Sequence, residues 1–343
     1  MPRFDIPGRR CDPVTKQSSE PDVNDALPLE DSPLRSIEAV EQGLMQVGYI
    51  ASRPIAAAIY MAHHLRKPIL VEGPAGVGKT ELAKSVAAWL NLKLIRMQCY
   101  EGLDESKSLY EWKYGKQLLY TQILKDKINT VIGDTDDLAT ALARLHDFGD
   151  MFFSKQFLEP RPLLRSLQEQ GGSVLLIDEI DKSDQEFEAF LLEILSDYQV
   201  TIPELGTIAA IVPPIVLLTS NGTRDLGDAL KRRCLHLHIG FPDDRLEARI
   251  ITARVPGIDG SLLRQLVSFV QQLRTLDLKK APSVSETIDW AKVLLLLHAT
   301  VLDIDLVRDT LNVLLKFEAD IDAAHKHLPT LTHKARQSAG VAV

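Results

Sequence analysis

The stretch Ile69-Leu70-Val71-Glu72-Gly73-Pro74-Ala75-Gly76-Val77-Gly78-Lys79-Thr80 decides how the rest of the chain is read. A short apolar run reads as a buried strand and breaks into a glycine-rich turn. From Glu81 onward apolar residues return at helical spacing, at Leu82, Val86, Trp89 and Leu90. The spacing Gly73-x4-Gly78-Lys79-Thr80 fits a phosphate-binding loop, in which glycines let backbone N–H groups close around phosphate oxygens and the helix N-terminus adds positive potential. In such a loop Lys79 reaches the outer phosphates and the Thr80 hydroxyl reaches Mg²⁺. Nucleotide binding follows from this stretch, but the phosphate chemistry does not.

Two further apolar runs end in polar residues. Ser173-Val174-Leu175-Leu176-Ile177-Asp178-Glu179 has the unbroken apolar character of a parallel strand buried on both faces. Open α/β sheets place their chemistry at such carboxyl ends. Asp178 is therefore the candidate for the Mg²⁺ shell, and Glu179 the candidate that orients and polarises an attacking water. Asp181, one turn on, reads as a helix cap. Ile215-Val216-Leu217-Leu218-Thr219-Ser220 is the third run and ends in Asn221, whose amide can hydrogen-bond a water or a γ-phosphate without adding charge.

Between these runs, Phe187, Phe190, Leu191, Ile194 and Leu195 mark an amphipathic helix, and residues 199–202 and 207–210 flank Pro203-Glu204-Leu205-Gly206 as a hairpin. The basic triplet Lys231-Arg232-Arg233 follows. It either complements a helix dipole or, in a ring-forming ATPase, reaches a neighbouring subunit's γ-phosphate.

The 343 residues suffice for an α/β core and a smaller second domain. A formal net charge of −8 argues against sequence-independent nucleic-acid binding, which needs concentrated Lys and Arg, and favours a protein partner. Cys11, Cys99 and Cys234 are too few and too scattered for a disulfide framework or a thiolate metal site. No apolar run approaches the roughly 18 residues of a spanning helix, so the expectation is a cytoplasmic protein without membrane contact.

Residues 1–35 are proline-rich and aperiodic, and read as a loosely ordered tail. His63 and His64 end a helix, where the dipole favours them over a metal-ligand role. His236 and His238 share one strand face without a third ligand and read as packing. Residues 100–120 hold Tyr100, Tyr110, Trp112, Tyr114 and Tyr120, either as a contact surface for a partner or as packing of an inserted element. Residues 121–170 read as mostly helical. After Pro242 the pattern is helical only, with a capping box at Ser283-Val284-Ser285-Glu286. The expected division is a core over 36–241, a helical lid over 242–318 and a fraying tail over 319–343.

Taken in order, the phosphate loop, Asp-Glu strand, hairpin, Asn-ended strand, paired arginines and helical lid resemble the layout of an AAA+ ATPase across about residues 36–315. The hairpin and the insert after the second strand are similar to the MoxR branch. Residues 94–104, 188–193, 202–207 and 286–290 resemble the CoxD-like ATPases associated with maturing the molybdenum-copper carbon monoxide dehydrogenase. That resemblance implies an α/β P-loop AAA+ core with a parallel sheet and a small all-α lid. It implies ATP and Mg²⁺ as ligands, with Gly73, Pro74, Ala75, Gly76, Val77, Gly78, Lys79, Thr80, Glu81, Tyr49 and Ile50 holding the nucleotide and Thr80 and Asp178 the metal. Lys79, Glu179 and Asn221 are its catalytic set, and Arg232 or Arg233 its finger across a subunit boundary. It further implies a homo-oligomeric ring, a hexamer, that acts on an apo metalloenzyme client with a von Willebrand factor A-domain partner. One departure stands out: many MoxR-type lids carry a second-sensor arginine where this chain has Ser283-Val284-Ser285-Glu286. A small-molecule kinase and a nucleotide-gated binding module with little turnover share the phosphate loop and are the alternatives.

Overall fold

The computed structural model describes residues 32–120, 122 and 154–340. Most of the expected N-terminal tail and the stretch 123–153 lie outside the described residues. Two helices, α1 (Ile37–Gln46) and α2 (Arg53–Leu65), precede β1 (Ile69–Glu72) and α3 (Lys79–Trp89). Then come β2 (Lys93–Gln98), the single turn α4 (Glu105–Ser108), β3 (Tyr110–Trp112), β4 (Leu158–Pro160) and α5 (Pro162–Gln168). The strand β5 (Ser173–Asp178) leads into α6 (Gln185–Asp197), the hairpin β6 (Gln199–Ile202) and β7 (Gly206–Ala209), and β8 (Ile215–Ser220). A short α7 (Asp228–Arg233) and β9 (Leu235–His238) complete the α/β part.

Five strands form one parallel sheet in the order β2-β5-β8-β1-β9. Because side chains alternate across a strand, each apolar run divides between two cores. Leu70, Leu175, Ile177, Val216 and Leu218 pack on one face with α5 and α6. Ile69, Val71, Val174, Leu176 and Leu217 pack on the other with α1, α2 and α3. Burial on both faces explains why these runs show no polar alternation. The order also brings the carboxyl ends of β1, β5 and β8 together, since β8 lies between the other two.

The last third is helical: α8 (Asp244–Arg254), α9 (Gly260–Leu273), α10 (Val284–Leu296), α11 (Ile304–Leu314) and α12 (Glu318–Ser338). Asp243, Asp259, Ser283 and Asp303 each cap one of these helices by accepting a first-turn N–H.

The structure corrects two sequence expectations here. The stretch expected as a fraying tail from residue 319 is the 21-residue α12, whose Ala324, Leu328, Leu331 and Ala335 are buried in the helical core. Their spacing of four, three and four residues is one helix face, interrupted in sequence by charges, histidines and Pro329. At the other end Leu34, placed in the expected tail, is only 4% exposed and packs with α1 and α2. The aromatic cluster is split. Trp112 is buried and Tyr110 meets it edge-on at 6.0 Å, while Tyr100, Tyr114 and Tyr120 are exposed. Among the described residues no helix is long and apolar enough to cross a membrane.

Candidate functional site

The loop between β1 and α3 is shaped by glycines with positive φ, two of which leave no room for a Cβ as the neighbours stand. Gly73 has φ +151°, and a Cβ there would lie 2.0 Å from the Ile239 carbonyl oxygen. Gly76 has φ +75°, and a Cβ there would lie 2.4 Å from Ser283 Oγ of the lid. The loop is thus bare of side chains where it turns between β9 and α10. The first-turn amides of α3 have no acceptor within their own helix, and Gly78, Lys79 and Thr80 line the cavity over the loop.

Lys79 is buried, with its ammonium donating to the carbonyl oxygens of Gly73 and Pro74, both at 2.7 Å, and to Asn221 Oδ1 at 2.8 Å. Burial pulls it below the ordinary lysine range, against the opposing pull of Asp181, Asp178 and Glu179. Asn221 then turns its other end to the acid side, with Nδ2 donating to Glu179 Oε1 at 3.3 Å. One side chain from the end of β8 therefore touches both the loop lysine and the candidate base.

Asp178 is 3% exposed and accepts from Thr80 Oγ1 at 3.0 Å and from Thr219 Oγ1 at 2.6 Å. Glu179 stands in the left-handed region, φ 56°, ψ 53°, and its N–H donates to Thr219 Oγ1 at 2.9 Å. Such a backbone costs a non-glycine residue of order 1 kcal/mol or more and clusters at functional sites. Here it turns the chain sharply at the strand end, so that adjacent acids diverge toward Thr80 and toward Asn221.

Ala75, Gly76, Gly78, Lys79, Thr80, Glu81, Lys84, Asp178, Glu179, Thr219, Asn221 and Ser285 line a cavity of about 280 Å³ over the loop. It adjoins a larger one of about 630 Å³ whose walls include Tyr49, Ile50, Val77, Glu81, Ile239, Leu246, Ile250 and Ile288. The first is polar and the second has an apolar wall, which suits phosphates in one and a flat base with its sugar in the other. The donors fit a hard cation: a hydroxyl from Thr80 and a carboxylate from Asp178 are oxygen ligands, with phosphate oxygens and water to complete an Mg²⁺ shell.

With that geometry in place, residues 68–234 match the family model described as AAA domain (dynein-related subfamily). This segment has the AAA+ fold. Relatives of the chain include an uncharacterized protein of Staphylococcus aureus, 27% identical over 229 residues, covering 65% of this chain and 73% of that protein. One from Staphylococcus haemolyticus, likewise uncharacterized, is 26% identical over 230 residues with the same coverage, 65% and 73%. Among solved structures, the Thermotoga maritima RuvB Holliday junction branch migration motor is similar with TM-score 0.41 at 16% identity, covering 82% of this chain and 73% of that chain.

The structure brings Lys79, Thr80, Asp178, Glu179 and Asn221 into one hydrogen-bonded group, and sets Tyr49, Ile50 and Glu81 around the neighbouring cavity. Arg232 and Arg233 are not part of it. Both are exposed on α7, outside either cavity lining, and Arg233 donates to Ser196 Oγ at the end of α6.

Three contributors escaped the sequence reading. Asp181 does not act as a helix cap, which is the role of Asp184 for α6. Its Oδ2 instead accepts from the N–H groups of Asn221 and Thr223 at 3.2 and 3.0 Å and from Thr223 Oγ1 at 2.6 Å, clamping the loop that carries Asn221. Burial raises the pKa of Asp181, but these bonds outweigh it and hold the acid below the usual carboxylate range. Arg96 and Gln98 on β2 are the others, bonded to Asp178 and Glu179 respectively. Their signal was available: two polar residues at i and i+2 share a strand face, beside the strand that ends in the acids. Cys99 and Cys234 are pushed up to about 12, by burial first, and as neutral thiols take no nucleophilic part.

Proposed function

We propose that this chain binds and hydrolyses ATP with Mg²⁺ as a MoxR-type, CoxD-like AAA+ chaperone. The observation that carries the hydrolytic part is Asn221, which joins Lys79 at 2.8 Å to Glu179 at 3.3 Å. A water held between Glu179 and Asn221 lies beside the lysine that meets the outer phosphates. Glu179 accepts its proton as the water attacks, and Lys79 and Asn221 stabilise the charge that develops on the phosphoryl oxygens. Thr80 and Asp178 hold the metal, which when bound neutralises phosphate charge.

Arg232 and Arg233 are exposed and lie away from this group, and this supports a role toward a neighbouring copy in a ring, which we take to be a cytoplasmic hexamer. The client, an apo molybdenum-containing carbon monoxide dehydrogenase-type enzyme, and a von Willebrand factor A-domain partner rest on the likeness of residues 94–104, 188–193, 202–207 and 286–290 to CoxD-like sequences.

The test is phosphate release from ATP with no acceptor added, followed against protein concentration. Release that rises as subunits associate is expected. A requirement for a small-molecule acceptor would make the chain a kinase, and negligible turnover at every concentration would make it a binding module. Mixing Lys79→Ala protein with Arg232→Ala or Arg233→Ala protein assigns the finger, because the arginine of a Lys79→Ala subunit can serve the intact loop of its neighbour. If neither mixture regains activity, the arginines do not act across a boundary.

A further inference from the structure

Asp178 is more fully occupied than a metal-ligating carboxylate needs to be. Oδ1 accepts from Thr219 and Thr80, at 2.6 and 3.0 Å. Oδ2 accepts twice from one guanidinium, from Arg96 Nη2 at 2.6 Å and Arg96 Nε at 3.1 Å. A carboxylate has about four acceptor sites, so these bonds fill it. Arg96 reaches Asp178 because β2 and β5 pair in parallel with Gln98 opposite Asp178 and Arg96 one pleat earlier on the same face. Gln98 then extends the contact, accepting from Arg96 Nη2 at 2.8 Å and donating to Glu179 Oε2 at 2.8 Å. A charged group thus sits on the oxygen of Asp178 that faces away from Thr219.

We propose that Arg96 sets the metal demand of this site: its guanidinium competes with the divalent cation for Asp178 Oδ2, so that the metal enters against a charge the protein supplies itself. The inference rests on the nucleotide reading above. Thr219 and Thr80 hold Oδ1 without help from Arg96, so removing the arginine leaves the carboxylate placed but uncompensated. A like charge on a metal ligand disfavours the metal, and its removal favours it. Arg96 is half exposed, so water screens the competition and limits its size. The role is one of positioning and charge, exerted through Asp178; no contact of Arg96 with the substrate is invoked.

The experiment measures Mn²⁺ affinity by electron paramagnetic resonance in full-length protein saturated with ADP, for wild type, Arg96→Gln, Arg96→Met and Arg96→Lys. Metal-free ADP affinity and circular dichroism serve as controls. Arg96→Gln and Arg96→Met are expected to bind Mn²⁺ about two- to five-fold more tightly, and Arg96→Lys, which keeps the charge, to stay near wild type. Should the methionine variant fold poorly, the glutamine variant carries the comparison. Unchanged or weaker Mn²⁺ binding in the neutral variants, with ADP still bound, overturns this inference and leaves the nucleotide reading standing. Failure of wild-type protein to bind ADP, with or without metal, overturns both.

Discussion

Two arginine–carboxylate pairs, one in each half of the molecule, use the same chemistry in different surroundings. In the helical half Arg274 forks onto Glu247, with both Nη–Oε contacts at 2.7 Å and side chains 7% and 0% exposed. Every spare group is engaged: Arg274 Nε donates to the Pro282 carbonyl, Gln271 donates to Glu247 Oε2, and the guanidinium lies over the Phe241 ring, 4.7 Å from its centre. This pair ties the connection leaving β9 to α8, α9 and the start of α10. In the α/β half Arg96 meets Asp178 with its own side chain 49% exposed, and its partner has other work. Burial separates the roles. The dry pair has no alternative partner and fixes a fold, while the wet pair can exchange its partner and adjusts a site.

The strongest way to break the comparison is Arg274→Ala. It strands a buried carboxylate and should cost about 3–5 kcal/mol, read as a large fall in the calorimetric unfolding temperature. Combining Glu247→Leu with Arg274→Met removes both charges and is expected to return stability to within about 1–2 kcal/mol of wild type. A double variant as unstable as the single would assign the role to the wider hydrogen-bond network instead.

Ser283→Ala comes next, at about 1 kcal/mol. Ser283 caps α10 in a reciprocal box with Glu286, and its loss should lower the unfolding temperature of the helical half. The smallest effect belongs to Arg254 and Glu81, which join α8 to the first turn of α3 at 2.7 Å with both side chains 37% exposed. A double-mutant cycle there should give about 0.2–1 kcal/mol that shrinks as salt is added. A coupling as large as that of Arg274 and Glu247 would show that exposure does not divide the pairs.

The parts legible in sequence were those whose neighbours in the chain are also neighbours in space. The loop at 73–80, the acids after β5 and the hairpin β6–β7 each announce themselves within a dozen residues. Asn221 was legible because it ends an apolar run. Arg96 and Gln98 were not read, and Asp181 reads as a helix cap, because their partners come from other strands or from a loop some forty residues on. The helix α12 escaped for a different reason: its buried face is narrow, and Pro329 and flanking charges interrupt the apolar signal that helical periodicity depends on.

The central claim is that Glu179, held by Asn221 and Gln98 beside the phosphate loop, is the base for hydrolysis. Glu179→Gln keeps the shape of the side chain and removes its basicity. Single-turnover measurement with labelled ATP should show nucleotide retained by the variant and phosphate release slowed by about 10²- to 10⁴-fold. Phosphate release at close to the wild-type rate in that variant would contradict the account.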